Sequence, residues 1–221
     1  MAVGALFAAV LLGILSSYKY YFPPEFSSGF LYGREGYFFS AYAIAFYGHI
    51  LAAPLALIIG GLLGNGTSRR KLWHWQRRLG MAYAALVLLF VAPGGLLMAF
   101  KAYGGPSAKL AFILLATLTW FTTFAGWLAA RHGRWKQHSQ WMLQSYILMC
   151  SAILLRLLAA ACRGLDTGTD TAVLYTAIAW ASWVPSLFLF EVSIWRKHHL
   201  GRANSLKVPA SRRGKVEFAE H

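Results

Sequence analysis

Apolar runs of near membrane-spanning length dominate this chain. Bounded by charged or turn residues, they lie at about 2–17, 39–63, 79–100, 110–130, 141–162 and 172–195. A helix needs roughly 20 such residues to cross a bilayer, and all but the first run approach that length. The first, about sixteen residues, also fits a secretory signal, but a signal opens with cations and none precedes Lys19, which favours a retained helix. Only 13% of residues are charged, against roughly 25% in soluble domains, so a soluble globular domain is excluded. Cys150 and Cys162 both sit inside apolar runs, which leaves neither a disulfide framework nor a zinc-type spacing. The fold predicted is all-α: an integral membrane bundle of six transmembrane helices with a central four-helix core. Residues 1–200 form one transmembrane domain and 201–221 a basic, unstructured tail.

The formal charge of +14 is unevenly placed. Fifteen cations fall on one side, in the loop holding Arg69, Arg70, Lys71, Arg77 and Arg78, the loop holding Arg131, Arg134 and Lys136, and the stretch after Trp195. The opposite loops hold five: Lys19, Arg34, Lys101, Lys109 and Arg163. The positive-inside rule makes the basic side cytoplasmic, which puts both termini inside. The same cations attract anionic headgroups, so membrane lipids are the first expected partner. They flank membrane segments and form no separate module, so nucleic acid is not an expected partner. Trp73, Trp75, Trp135 and Trp141 cluster at the basic loops, as in an interfacial aromatic belt.

Polar groups at membrane depth are expensive, and few are present. His49 falls near mid-bilayer on the second run, slightly toward the outer side, and Arg156 lies at similar depth on the fifth, so the two can converge. His138, Met142, Ser145, Met149, Ala152 and Arg156 advance by three and four residues and form one stripe, which should face the bundle interior or a wet cavity. His74 and His138 both precede outward-going helices, each among Trp, Gln and cations, as in a faint internal repeat. Neutral imidazoles from two helices at one depth suit the iron of a six-coordinate b-type haem, with His74 and His138 as ligands and cations for its propionates. His49 suits a second haem, a quinone or a proton relay. The alternatives are interfacial bonding of His74 and His138 to headgroups or loop carbonyls, and simple interhelical bonding of His49. His132 with His138, or His198 with His199, is a weak metal signal, and Glu191 is expected to pair with a basic group. Gly60-Gly61, Gly64 and Gly94-Gly95 allow close helix approach, and Pro54, Pro93 and Pro185 are candidate kinks. There is no Walker loop, dinucleotide fingerprint, HExxH or nucleophile elbow.

The run Tyr47-Gly48-His49-Ile50-Leu51-Ala52-Ala53-Pro54, then His74 with Arg77-Arg78-Leu79-Gly80, then His138-Ser139-Gln140-Trp141-Met142 leading to Ser145-Tyr146 and Arg156, resembles a family of bacterial predicted membrane proteins of unknown function. That family carries a mid-span His, two motifs in which Arg follows His, and a membrane Arg. Trp75 and Ser139 replace those two arginines here, which weakens any anion-binding role at these positions. The resemblance implies a distant likeness to helical haem-handling proteins and oxidase-assembly factors. The function expected is binding of b-type haem or quinone, for electron transfer or respiratory-complex assembly, with His49, His74, His138 and Arg156 as site residues. Respiratory-complex subunits are then expected partners. A non-redox carrier of a small anionic or lipid-like solute, acting as a homodimer, and a ligand-free structural subunit are the alternatives.

Overall fold

The computed structural model describes residues 2–27, 29–64, 73–163 and 170–207. Lipid offers no partner to backbone N–H and C=O groups, so a chain this apolar satisfies them within helices. The elements are α1 (Ala2–Ser16), α2 (Glu35–Phe38), α3 (Ala41–Gly64), α4 (Gln76–Leu86), a π-helical turn (Val87–Val91), α5 (Ala92–Ala99), α6 (Gly105–Arg131), α7 (Trp135–Arg163), α8 (Thr171–Ala181) and α9 (Val184–Lys207). Among the described residues, five stretches are long and apolar enough to cross a membrane: Ala41–Gly64, Gln76–Ala99, Gly105–Arg131, Trp135–Cys162 and Thr171–Arg196. The first of the six expected spans differs, since α1 has 15 residues and reaches about 22 Å, short of a roughly 30 Å hydrocarbon core.

The chain divides into two compact units, Met1–Val184 and Pro185–His221. In the first, α6 and α7 form the most extensive pair, α3 packs on α4, the π-turn and α5, α5 continues onto α6, and α8 lies against α6 and α7. Much of the contact surface is alanine, including Ala52, Ala56, Ala84, Ala92, Ala108 and Ala111. In lipid, association depends on close packing, which small side chains permit. One buried cluster joins Ala52, Ala56, Leu57, Tyr83, Val87, Val91 and Met149. In the second unit, residues 185–207 are helical throughout, with Phe188, Leu189 and Trp195 exposed. The tail expected to be unstructured from Gly201 therefore starts inside a helix, and its remainder, 208–221, lies outside the described residues.

The chain departs from regular helix in two places near His49. Ala92 N–H bonds back five residues to the Val87 carbonyl, widening one turn. Pro93 follows directly, and in a tight helix its ring would press on the carbonyl four residues back; the wider turn accommodates it. The second departure is a cap of aromatic residues ahead of α3. Leu31, Phe38, Tyr42 and Phe46 form its buried centre, with Tyr21 edge-on to Phe46 and Phe30 stacked on it.

Candidate functional site

His49 comes from the outer half of α3, taking the basic side as inner. Its Nδ1 lies 2.7 Å from the Val91 carbonyl oxygen at the end of the π-turn. A carbonyl only accepts, so Nδ1 carries the hydrogen, and in the neutral ring Nε2 then holds a lone pair. Gly94 and Gly95 make this approach possible. A Cβ on Gly94 would sit 2.5 Å from the Ala45 carbonyl oxygen and 2.9 Å from His49 Cβ, and one on Gly95 would meet the imidazole ring at 3.2 Å.

His138 repeats the arrangement on another helix pair. Its Nδ1 lies 2.8 Å from the Gly126 carbonyl oxygen of α6, so this ring too is fixed with Nδ1 donating and Nε2 bare. Again a glycine admits the partner: a Cβ at Gly126 would fall 2.7 Å from Met142 Sδ and 3.3 Å from Trp141 Cβ. Among the described residues no partner bonds Nε2 of either histidine. Metal-binding histidines show this pattern, in which one ring nitrogen is anchored to a carbonyl and the other is presented to the ligand. The interhelical bonding weighed for His49 is present as well, but it occupies one nitrogen only.

His74 is exposed on the 3-10 turn Trp73–Trp75 that leads into α4, and no described contact joins it to His138. His132 Nδ1 bonds the Leu128 carbonyl of its own helix at 2.9 Å. The side chains of His198 and His199 lie outside the described set. Among the described residues no three His, Cys, Asp or Glu side chains gather to hold a metal ion.

Between the depths of His138 and His49 runs a chain of hydroxyls that the spacing of polar residues did not reveal. Thr123 Oγ1 donates to the Thr119 carbonyl at 2.7 Å. Its proton thus committed, it accepts from Ser145 Oγ at 2.6 Å, and Ser145 in turn accepts from Tyr83 Oη at 2.9 Å. The terminal carbonyl dictates one direction throughout, from Tyr83 to Ser145 to Thr123 to Thr119. All three side chains are at most 1% exposed and every donor is satisfied, so the chain ties α4, α6 and α7 together with no free hydrogen, and burial shields its remaining lone pairs from a ligand. The cluster Thr119, Thr122 and Thr123 inside an apolar run was its available signal.

The stripe on α7 changes character along its length. Ser145 and Met149 are buried, and Arg156, seven residues before the helix end, is exposed and donates from one terminal nitrogen to the Ala152 carbonyl at 2.8 Å. Around its guanidinium, within electrostatic range, lie Tyr18, Tyr21 and Tyr175, and His49 is within range as well. Tyr18 Oη donates to the Ile50 carbonyl and Tyr47 Oη to the Tyr21 carbonyl at 2.9 Å, which ties the aromatic cap to α3. Burial holds the Tyr21 phenol above its ordinary pKa, against the Arg156 and Arg34 charges that favour its ionised form. His138 and Arg156 are eighteen positions apart on one unbroken helix, roughly 27 Å at 1.5 Å per residue. They cannot serve one ligand. The sequence-predicted residues thus fall into two candidate half-sites, an inner one at His138 with His74 near the same end, and an outer one at His49 and Arg156.

One known family matches, described as predicted membrane protein (DUF2306), over residues 46–194. No curated protein and no solved structure matches. The matched segment covers well over half of the chain, from just before His49 nearly to the end of the last candidate span, and the chain belongs to that family.

Proposed function

We propose that this multi-pass membrane protein binds b-type haem at its inner half-site and serves electron transfer, or the assembly of a respiratory complex, in a bacterial inner membrane. One observation carries the reading: the His138 ring is locked by its Nδ1–H···O bond to Gly126, which aims an unprotonated Nε2 away from that bond. Iron in a haem takes such a nitrogen, and a bound haem would supply one-electron chemistry to the site. His74 is the second ligand in this reading. It lies at the same end of the bundle, on the short 3-10 turn ahead of α4. Arg78, stacked over Trp75 at 5.2 Å, and the exposed Arg134 and Lys136 provide cations for propionates at that end. In this reading the basic loops and the C-terminus face the cytoplasm, and with α1 too short to cross, five crossings put the start of α3 on the opposite side.

The test is an oxidised and a dithionite-reduced absorption spectrum of the detergent-purified chain, with His74→Ala and His138→Ala alongside. The result expected is a reduced α band in the parent that is lost in both variants. A purified, folded protein with no haem Soret band removes the reading.

A further inference from the structure

We propose that the outer half-site, His49 with Arg156, binds the hydroxylated ring of a membrane quinol. The proposal rests on the redox reading for its biological sense and on separate residues for its chemistry.

Two polar groups on different helices define what can occupy this place. His49 presents Nε2, which needs a hydrogen donor, because Nδ1–H is committed to the Val91 carbonyl. Arg156 presents a permanent cation whose remaining N–H groups need acceptors, one terminal nitrogen being held by the Ala152 carbonyl. The two are within electrostatic range of each other, and α3 and α7 pack together. A ligand spanning them must therefore donate at one point and accept at another. A phosphodiester or a carboxylate accepts everywhere and would face the Nε2 lone pair with another lone pair. A protonated carboxylic acid can donate, but both its oxygens sit on one carbon, so its donor and acceptor are not presented on opposite edges. A quinol carries hydroxyl oxygens on opposite edges of one flat ring, so one O–H can donate to Nε2 while the far oxygen accepts from the guanidinium.

Depth and surroundings agree with such a ligand. His49 is eight residues into α3, about 12 Å below the helix start, deeper than headgroup phosphates but accessible to an uncharged ring. Arg156 is exposed on the bundle surface, which leaves a lateral approach from the bilayer. Tyr18, Tyr21 and Tyr175 are within electrostatic range of the guanidinium, so the neighbourhood of Arg156 is aromatic, as a flat ring ligand favours. Gly94 and Gly95 set the His49 ring against the π-turn, and single π-turns in helices are frequent at functional sites.

The experiment is a binding titration of the purified full-length chain with decylubiquinol and with decylubiquinone, followed by isothermal calorimetry, with decanoate and phosphatidylglycerol micelles as competitors. The quinol should bind about tenfold more tightly than the quinone, the ratio of one hydrogen bond made or lost. Arg156→Gln should weaken quinol binding at least tenfold at an unchanged melting temperature, and Arg156→Lys should restore part of it. Equal affinity for quinol and quinone, unaltered binding by Arg156→Gln, or displacement of the quinol by equimolar decanoate or phosphatidylglycerol overturns the proposal. A chain without a haem band that still binds quinol keeps this site and loses the electron-transfer reading. A haem-bearing chain indifferent to quinol does the reverse.

Discussion

Between the depths of His138 and His49, Tyr83, Ser145 and Thr123 pass their hydrogens in one direction to a backbone carbonyl and leave no hydrogen free. On either side of it in depth, His49 and His138 commit one ring nitrogen to a carbonyl and hold the other back. Both arrangements join helices through polar side chains in a setting where an unpaired polar group is costly. The difference lies in what remains. A buried chain with every hydrogen committed can only hold the structure, whereas an anchored imidazole both holds it and offers a lone pair of fixed direction. Polar residues in a membrane bundle therefore separate into glue and ligand atoms by counting their unused donors and acceptors.

The largest expected effect tests the packing beneath that contrast. Gly94→Val places its Cβ against the Ala45 carbonyl oxygen and His49 Cβ and should cost about 3 kcal/mol, measured as loss of folded fraction in a detergent-unfolding series. If it is tolerated, α3 and α5 are not held as closely as described. Next comes the hydroxyl chain: Ser145→Ala leaves the buried Tyr83 hydroxyl without an acceptor and should destabilise by about 1–2 kcal/mol, with no change in ligand binding. A cycle of Tyr83→Phe and Ser145→Ala should show a coupling of about 1 kcal/mol, and additivity would mean that the two hydroxyls do not communicate. The smallest stability effect should belong to His138→Ala, about 0.6 kcal/mol for one interhelical bond. This variant reverses the ranking when binding is read out, losing the haem band that Ser145→Ala retains. Equal stability losses at Ser145 and His138 with no spectral difference would make both positions glue.

Much of this architecture is legible in the sequence because bilayer thickness imposes a length on each apolar run. Trp135–Cys162 and Gln76–Ala99 contain the expected 141–162 run and nearly all of 79–100, and they extend further on the polar side, where Trp, Gln and cations carry each helix past its hydrocarbon portion. Glycine pairs signal close approach, and Gly94-Gly95 occurs at such a contact. The partners do not follow from spacing. Nothing local indicates that His49 meets Val91, forty-two positions later, or that His138 turns to Gly126 on the neighbouring helix. The stripe on α7 is visible as a periodicity, yet its length, roughly 27 Å from His138 to Arg156, separates residues that otherwise read as one site. The aromatic cap escapes a sequence reading for a different reason. The segment before α3 has turn residues and no periodicity, and only its density of rings, ten from Tyr18 to Phe39, marks it as packed rather than as a plain loop.

The central claim concerns where one proton sits on two rings, and nitrogen NMR of the chain with labelled histidine measures that directly. At neutral pH His49 and His138 should both carry hydrogen on Nδ1 and none on Nε2, in the ligand-free protein and in the loaded one alike. An Nε2–H resonance at either residue would mean that the carbonyl contact is not a donated hydrogen bond, and would contradict the assignment of these nitrogens as ligand atoms.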